Sequence, residues 1–310
     1  MKILIYADLQ PKYLEELVKQ LPKDADCVLG GHLSGVELKS AFESSEIVIG
    51  NLPVEMLQNV PSSLKFWQLE QVGFENYKNV KFKGIVANVG DMSAAACAET
   101  IVAGVLGFYR GLHFMVRNQL GQKWVGEKAE QELSILGEKN VIVLGSGAIG
   151  EHVEKILKAF GCSVKMTAKS DPHADIHSFK DLLQQLPETD LVVNTLPGNL
   201  DKYVSAEFFD AMKDGSLYAN VGRGNTTDEI ALIQALESGK LAGAVLDVTE
   251  KEPLPKNGRL WKMENVILTQ HTGAAHKERD RDKVKKFAEN VKLFLKGAEL
   301  KDKVVLSEGY

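Results

Sequence analysis

Three side chains suited to carbonyl–alcohol chemistry fall late in the chain, each just past a short apolar run. Arg223 follows "SLYANV", Glu252 follows "AGAVLDV" and His271 follows "NVILT". An arginine grips a carboxylate with two parallel hydrogen bonds and can polarise the carbonyl beside it. A histidine exchanges a proton near neutral pH, and a carboxylate behind it keeps the ring oriented. Asp247 and Glu250 share the stretch "AVLDVTEKEPLP" with Glu252, so three acids stand close to the histidine in sequence order. Each residue also has a plainer reading: Arg223 could bridge Asp228 or Glu229, Glu252 could be a loop charge, and His271 could close a strand end.

What joins them to a reaction is a glycine loop upstream. "VIVLGSGAIGEHVEKILKAFG" reads as a strand, then Gly145-x-Gly147-x-x-Gly150, then an amphipathic helix. The first glycine permits the tight turn, the second lets backbone approach a pyrophosphate, and the third lets helix and strand pack closely. The helix N-terminus adds amide donors and partial positive charge. Gly145, Ser146, Gly147, Ala148, Ile149 and Gly150 are therefore candidate cofactor contacts.

The end of the next strand, "CSVKMT", normally carries an acid that accepts from the adenosine ribose. Ala168 stands there, followed by Lys169 and Ser170. An alanine removes the repulsion that a 2′-phosphate would meet, the lysine offers charge and the serine a hydroxyl. That combination favours NADP, with NAD possible. In the alternative, Lys169 is an ordinary solvated lysine and Asp171 grips the ribose.

These loops need a scaffold whose strands end on one side. Residues 1–90 alternate short apolar runs ("KILIYA", "ADCVLG", "SEIVIGN", "KFWQLE") with helical stretches such as "PKYLEELVKQL". From "NVIVLGSG" a longer series of strand-like runs and helical stretches follows. Both halves read as α/β, with parallel sheets. In the tail, Val284, Phe287, Ala288, Val291, Phe294 and Leu295 form one helical stripe, with Gly297 as the stop. Periodicity alone leaves open which half that stripe covers.

At 310 residues the chain suits two domains, and its 44% hydrophobic and 25% charged content is that of a globular protein. A net charge of −5 with no basic block argues against a nucleic-acid partner. Cys27, Cys97 and Cys162 form no paired motif and suit a reducing compartment, and no spacing suggests a metal site. The apolar stretch 93–116 is broken by Glu99 and Arg110 and reads as a buried helix, so no membrane partner is expected and the location is cytoplasmic.

At these residues the chain closely resembles the D-isomer-specific 2-hydroxyacid dehydrogenases, of the glyoxylate/hydroxypyruvate reductase kind. The matching segments are "CAETIVAGVLGFYRG", "VIVLGSGAIG", "NTLPGN", "ANVGRGNTTDEIALIQALESGKLAGAVLDVTEKEPLP" and "VILTQHTGAA". The resemblance implies two doubly wound parallel-sheet domains. A Rossmann-type cofactor domain (97–276) would be inserted in a flavodoxin-like substrate domain (1–96 and 277–310), with the active site in the cleft and a homodimer formed through the cofactor domains. It makes Arg223 the substrate anchor, His271 the acid/base and Glu252 its partner. Asp247 would hold the nicotinamide carboxamide, and Leu196, Pro197 and Val221 would line the cofactor. Asn51, Leu52, Val72 and Gly73 would contact the substrate, with amides near Val72 and Gly73 facing its carboxylate.

Two further departures from the family pattern matter: Gln270 replaces the usual proline before the histidine, and "GFENYK" replaces the usual substrate loop. The expected activity is reduction of a small 2-oxoacid to a D-2-hydroxyacid with NADPH. The rivals are an NAD-linked phosphoglycerate-type dehydrogenase and a dinucleotide-sensing protein like the corepressors that share the scaffold.

Overall fold

Apolar runs too short for helices become the strands of two all-parallel sheets. The computed structural model describes residues 1–309, without the side chains of Lys128, Gln131 and Glu132. The chain divides into two compact units, Met1–Met92 with the segment from His276 onward, and Ser93–Ala275.

In the first unit, β1 (Lys2–Ile5), β2 (Asp26–Leu29), β3 (Ile47–Ile49), β4 (Phe66–Gln68) and β5 (Ile85–Ala87) are ordered β2-β1-β3-β4-β5. This is the flavodoxin-like order. Consecutive strand residues point to opposite faces. Ile3, Ile5, Ile47 and Ile49 therefore enter one core, and Leu4, Val48 and Trp67 the other. α1 (Pro11–Gln20) starts with proline at a position where its missing N–H does no harm, and α2 (Gly35–Ser44) starts with a capping box between Ser34 and Glu37.

The C-terminal helix, Arg279–Leu295, belongs to this first unit. Val284, Phe287, Ala288 and Val291 are at most 1% exposed and pack with Ile5 and Leu17, and Phe294 stacks on Phe66 at 4.9 Å. Leu295, expected on the same stripe, is instead 43% exposed, because the stripe has drifted off the core by the last turn. Gly297, at φ 63°, ends the helix. Lys283 and Asn290 are buried polar residues of this helix, paired with Glu70 at 3.1 Å and Gln68 at 2.7 Å.

In the second unit, the long apolar stretch becomes α3 (Ala94–Tyr109) and α4 (Leu112–Leu120), bent by 70° at Arg110–Gly111. No single helix among the described residues is long and apolar enough to cross a membrane. β6 (Asn140–Leu144), β7 (Ser163–Thr167), β8 (Leu191–Asn194), β9 (Ser216–Asn220), β10 (Leu241–Leu246) and β11 (Val266–Leu268) follow, ordered β11-β10-β9-β8-β6-β7. α5 (Ala148–Ala159), α6 (Phe179–Gln185), α7 (Ala206–Ala211) and α8 (Glu229–Glu237) connect them. Val141 and Val143 of β6 face the core beside α3, while Ile142 and Leu144 face the other. β6 lies between β7 and β8, so the chain leaves it on one side and returns on the other. Ligand crevices open beyond the strand ends at such a switch point.

Candidate active site

The glycine loop follows β6 at that switch point. Gly145 has φ 100°, and a Cβ at Gly150 would stand 2.3 Å from the Gly145 carbonyl oxygen, so only glycine lets α5 start this close to β6. Gly147 is the N-cap of α5 and has no side chain to occupy the first-turn amides, and a Cβ built on it meets only open space. These residues fit a dinucleotide pyrophosphate. Ala148 and Ile149 form the first turn of α5, with Ile149 packed on the core. Across from them, the Asn194 side chain receives the Leu196 amide at 2.9 Å and shapes the turn into Pro197. Leu196 and Val221 are buried apolar walls, at 7% and 4% exposure.

Past β7 the chain folds back on itself. Ala168 donates to Ile176 at 3.0 Å, Ile176 to Met166 at 3.1 Å, and His177 Nδ1 lies 2.9 Å from the Ala168 carbonyl. Lys169 and Ser170 form the exposed tip of this loop. Asp171 receives the His173 amide at 2.9 Å, and hydrogen bonding by the Ser146 hydroxyl and then by that amide holds its carboxyl below the usual aspartate range.

Arg223, Asp247, Glu252 and His271 follow β9, β10 and β11, all at the carboxyl ends of adjacent strands. Beneath the Arg223 loop lies a closed polar network. Asn194 donates to Tyr218 and Thr226, both at 2.9 Å, Tyr218 meets Thr227 at 2.6 Å, and the Thr226 hydroxyl donates to the Arg223 carbonyl at 2.6 Å. Burial raises the Tyr218 hydroxyl well above its usual range, so it stays protonated as a donor. The two acids considered as partners for Arg223 have other engagements. Asp228 caps α8 and pairs with Lys202 at 3.5 Å, while Glu229 receives the Glu250 amide at 3.0 Å. A Cβ at Gly224 would lie 1.8 Å from the Thr249 carbonyl oxygen, so the arginine loop rests directly on the loop that carries Glu252.

Glu252 divides its two oxygens. Oε1 receives the Thr249 amide at 3.0 Å, and Oε2 lies 2.5 Å from His271 Nδ1. Of the three acids near the histidine in sequence, this is the one whose side chain reaches the ring. His271 and Gln270 both have left-handed backbone, φ 55° and 56°. A proline at position 270, with φ near −65°, could not adopt this loop. A cavity of about 360 Å³ beside the pair is lined by Leu246, Thr249, Glu252, Leu254, Trp261 and His271, among others.

Asp247 is 4% exposed and is taken up by the histidine loop itself. Its carboxylate receives the Thr269 hydroxyl at 2.6 Å, the Thr272 amide at 3.0 Å and the Gly273 amide at 3.1 Å, and its carbonyl receives the His271 amide at 2.6 Å. Sequence reasoning placed this acid against the cofactor and missed the clamp. It also missed Thr249, whose amide sits three residues before the glutamate it orients.

In the first unit, Asn51 Oδ1 receives the Glu70 amide at 3.1 Å, and Glu70 in turn receives the Asp8 amide at 3.0 Å. Leu52, expected to contact substrate, has its side chain in the core at 1% exposure and its carbonyl taken by the Tyr77 hydroxyl at 2.9 Å. Burial among Leu4, Val48 and Trp67 removes its apolar surface from water. Val72 is 42% exposed, with its carbonyl held by Asn88 at 2.9 Å, and Gly73 is buried.

A glycine loop at a switch point, with an arginine, an acid–histidine pair and a buried aspartate at the neighbouring strand ends, defines a dinucleotide-dependent oxidoreductase. The family model described as "D-isomer specific 2-hydroxyacid dehydrogenase, NAD binding domain" matches residues 102–273, and the chain belongs to that family. An uncharacterised protein of Corynebacterium melassecola is 31% identical over 293 residues, covering 91% of this chain and 94% of its own. A probable 2-ketogluconate reductase of Dictyostelium discoideum is 28% identical over 288 residues, covering 88% and 86%. The crystal structure of an NADPH-dependent glyoxylate/hydroxypyruvate reductase from Sinorhizobium meliloti superposes with a TM-score of 0.79 at 25% identity, covering 99% and 98%. The protein is an enzyme of this dehydrogenase/reductase family, with a nicotinamide dinucleotide as cofactor and a small hydroxyacid or oxoacid as substrate.

Proposed function

We propose that the protein reduces a small 2-oxoacid to the D-2-hydroxyacid, with Arg223 as substrate anchor, His271 as acid/base and Glu252 as its orienting partner. What carries the reading is the 2.5 Å contact between His271 Nδ1 and Glu252 Oε2 on loops adjoining Arg223. With Nδ1 committed to the carboxylate, the ring's Nε2 is the nitrogen that gives a proton to the nascent alkoxide. The guanidinium draws electron density from the carbonyl while holding the neighbouring carboxylate. The amides of the glycine loop and the first turn of α5 bind the pyrophosphate, and a reduced nicotinamide, when bound, supplies the hydride. Asp247 keeps the histidine loop in place, and its Oδ2, which shares the Gly273 amide with Oδ1, is the atom to accept from a carboxamide.

NADPH is the proposed reductant, because Ala168 removes the strand-end acid and Lys169 and Ser170 stand exposed beside it. The S. meliloti reductase is described as NADPH-dependent, which supports the same choice. A homodimer is proposed through the second unit. Leu112, Val116, Leu120 and Trp124 recur every fourth residue and are 56%, 53%, 81% and 98% exposed, an apolar stripe suited to a second copy. Replacing Trp124 with serine should shift the sedimentation coefficient from dimer to monomer.

The test of activity is parallel initial rates with NADPH and NADH against glyoxylate, hydroxypyruvate, pyruvate and bulkier 2-oxoacids. Turnover of one of them, lost in His271→Ala with cofactor binding kept, supports the reading. Dinucleotide binding without turnover of any 2-oxoacid refutes it.

A further inference from the structure

The turn on the cofactor wall and the loop that carries Arg223 leave neighbouring strands, β8 and β9, and one buried side chain touches both. Asn194 ends β8 after three apolar residues, Leu191, Val192 and Val193, and is 0% exposed. A leucine, close to it in size, would fill that place without burying an amide. The amide is instead used to its last hydrogen. Oδ1 receives the Leu196 amide at 2.9 Å, and Nδ2 donates to the Tyr218 and Thr226 hydroxyls, both at 2.9 Å. An asparagine has two donor hydrogens and one carbonyl, so a single rigid group holds all three partners relative to one another.

Two of those partners lead to parts of the site. Leu196 begins the turn into Pro197, and the Asn194 backbone carbonyl takes the Val221 and Gly222 amides at 3.0 and 3.2 Å, so both apolar walls of the cofactor crevice are tied to this residue. Gly222 runs so close to the turn that a Cβ on it would meet the Leu196 carbonyl oxygen at 2.5 Å. On the other side, Thr226 accepts from Asn194 and donates its own hydrogen to the Arg223 carbonyl at 2.6 Å, where Asn220 Nδ2 adds a second donor at 3.2 Å. Arg223 is the extended residue, φ −134° and ψ 142°, before the short helical turn Gly224–Thr226. Fixing its carbonyl fixes the planar peptide that follows, and with it the direction from which the side chain leaves the loop. Arg223 Nη1 reaches back to the carbonyl of Gly222, whose amide Asn194 holds, at 3.0 Å.

We propose that Asn194 is a positioning residue shared by cofactor and substrate. Through Leu196 and Gly222 it sets the cofactor wall, and through Thr226 it aims Arg223, a role that rests on the reading of that arginine as substrate anchor. Losing Asn194 weakens both ligands, whereas losing only the Thr226 hydroxyl weakens the 2-oxoacid alone.

The test measures KM for the 2-oxoacid that wild type turns over fastest, and the dissociation constant of the cofactor that supports it by nicotinamide fluorescence. The variants are Asn194→Leu, Thr226→Val, Thr226→Ser, Arg223→Gln and the double Arg223→Gln with Thr226→Val. Circular dichroism verifies folding, and Asn194→Ser takes the place of Asn194→Leu if the latter unfolds. Asn194→Leu should raise KM about tenfold and the cofactor constant about threefold or more. Thr226→Val should raise KM about fivefold with the cofactor constant within about twofold, and Thr226→Ser, which keeps the hydroxyl, should stay within about twofold in both. In the Arg223→Gln background, Thr226→Val should change KM by less than about twofold, because its route to the substrate is already gone.

A KM and a cofactor constant both within about twofold of wild type in Asn194→Leu overturn the proposal. So does a rise in KM from Thr226→Val that is equally large in the Arg223→Gln background, which marks a general loosening of the loop. A wild-type KM in Arg223→Gln itself overturns the anchor reading. A raised KM there, beside an unchanged one in Thr226→Val, overturns the positioning role alone.

Discussion

Replacing Asp247 with asparagine should loosen the loop that carries His271 and leave the rest of its unit folded. The carboxylate receives the Thr269 hydroxyl and the Thr272 and Gly273 amides at 2.6, 3.0 and 3.1 Å. A hydrogen bond to a charged acceptor contributes about 1.5–3 kcal/mol, and one to a neutral acceptor about 0.5–1.5 kcal/mol. The substitution therefore loses roughly 1 kcal/mol at each donor, or about 3 kcal/mol in all. Against the clamp stand two left-handed residues, Gln270 and His271. Each costs about 1–2 kcal/mol, so the strain is of the same size as the loss. The asparagine variant should then populate an opened loop, and kcat should fall by roughly 10- to 100-fold.

Hydrogen exchange separates this from general destabilisation. The Thr272 and Gly273 amides should lose protection while strand amides of β9 and β10 keep theirs. Adding Gln270→Gly to the Asp247→Asn variant should recover about fivefold in kcat, because glycine adopts φ near 56° without the penalty. Turnover within about threefold of wild type, with both amides still protected, would refute the clamp.

Other outcomes follow from the same geometry. His271→Ala should lower kcat by about 10²–10⁴-fold and leave the NADPH dissociation constant unchanged, measured by fluorescence titration. Glu252→Gln keeps a hydrogen-bond acceptor but no charge, and its kcat should fall by roughly 10-fold or more with little change in cofactor binding. Gly224→Ala forces a methyl group against the Thr249 carbonyl and should cost about 1–3 kcal/mol in urea unfolding, with a loss of turnover beyond that from instability.

Burial alone would raise the Asp190 carboxyl, but Lys213 at 2.8 Å and the Asn140 amide at 2.9 Å hold it below its ordinary value of 3.8. A depressed carboxyl stabilises the fold above the unfolded value, and that contribution is lost as pH falls through the folded one. The difference in melting temperature between wild type and Asp190→Asn should thus be full at neutral pH and shrink as the pH is lowered below 3.8.

Much of this protein was legible along the chain because parallel strands buried on both faces must be continuously apolar. "VIVL", "LVVN" and "LAGAVL" could be little else, and a turn that only glycines fit marks where β6 meets α5. The order of chemical residues at strand ends, Arg223, Glu252 and His271, is likewise a one-dimensional pattern. β5 (Ile85–Ala87) was not singled out along the chain, although β3, β4 and β11 are just as short.

Residue types and spacing leave Asp247, Glu250 and Glu252 as three acids in one short stretch, and the family resemblance singled out Glu252 as the histidine's partner. The contacts themselves come from the folded loops, which turn Glu252 to the ring and Asp247 into the Thr269–Gly273 backbone, a clamp that nothing in the sequence announced. Burial of a strand residue is dictated by its own apolar character. The partner of a carboxylate is dictated by which donors the rest of the chain leaves within three ångströms of it, and that is settled only by the fold.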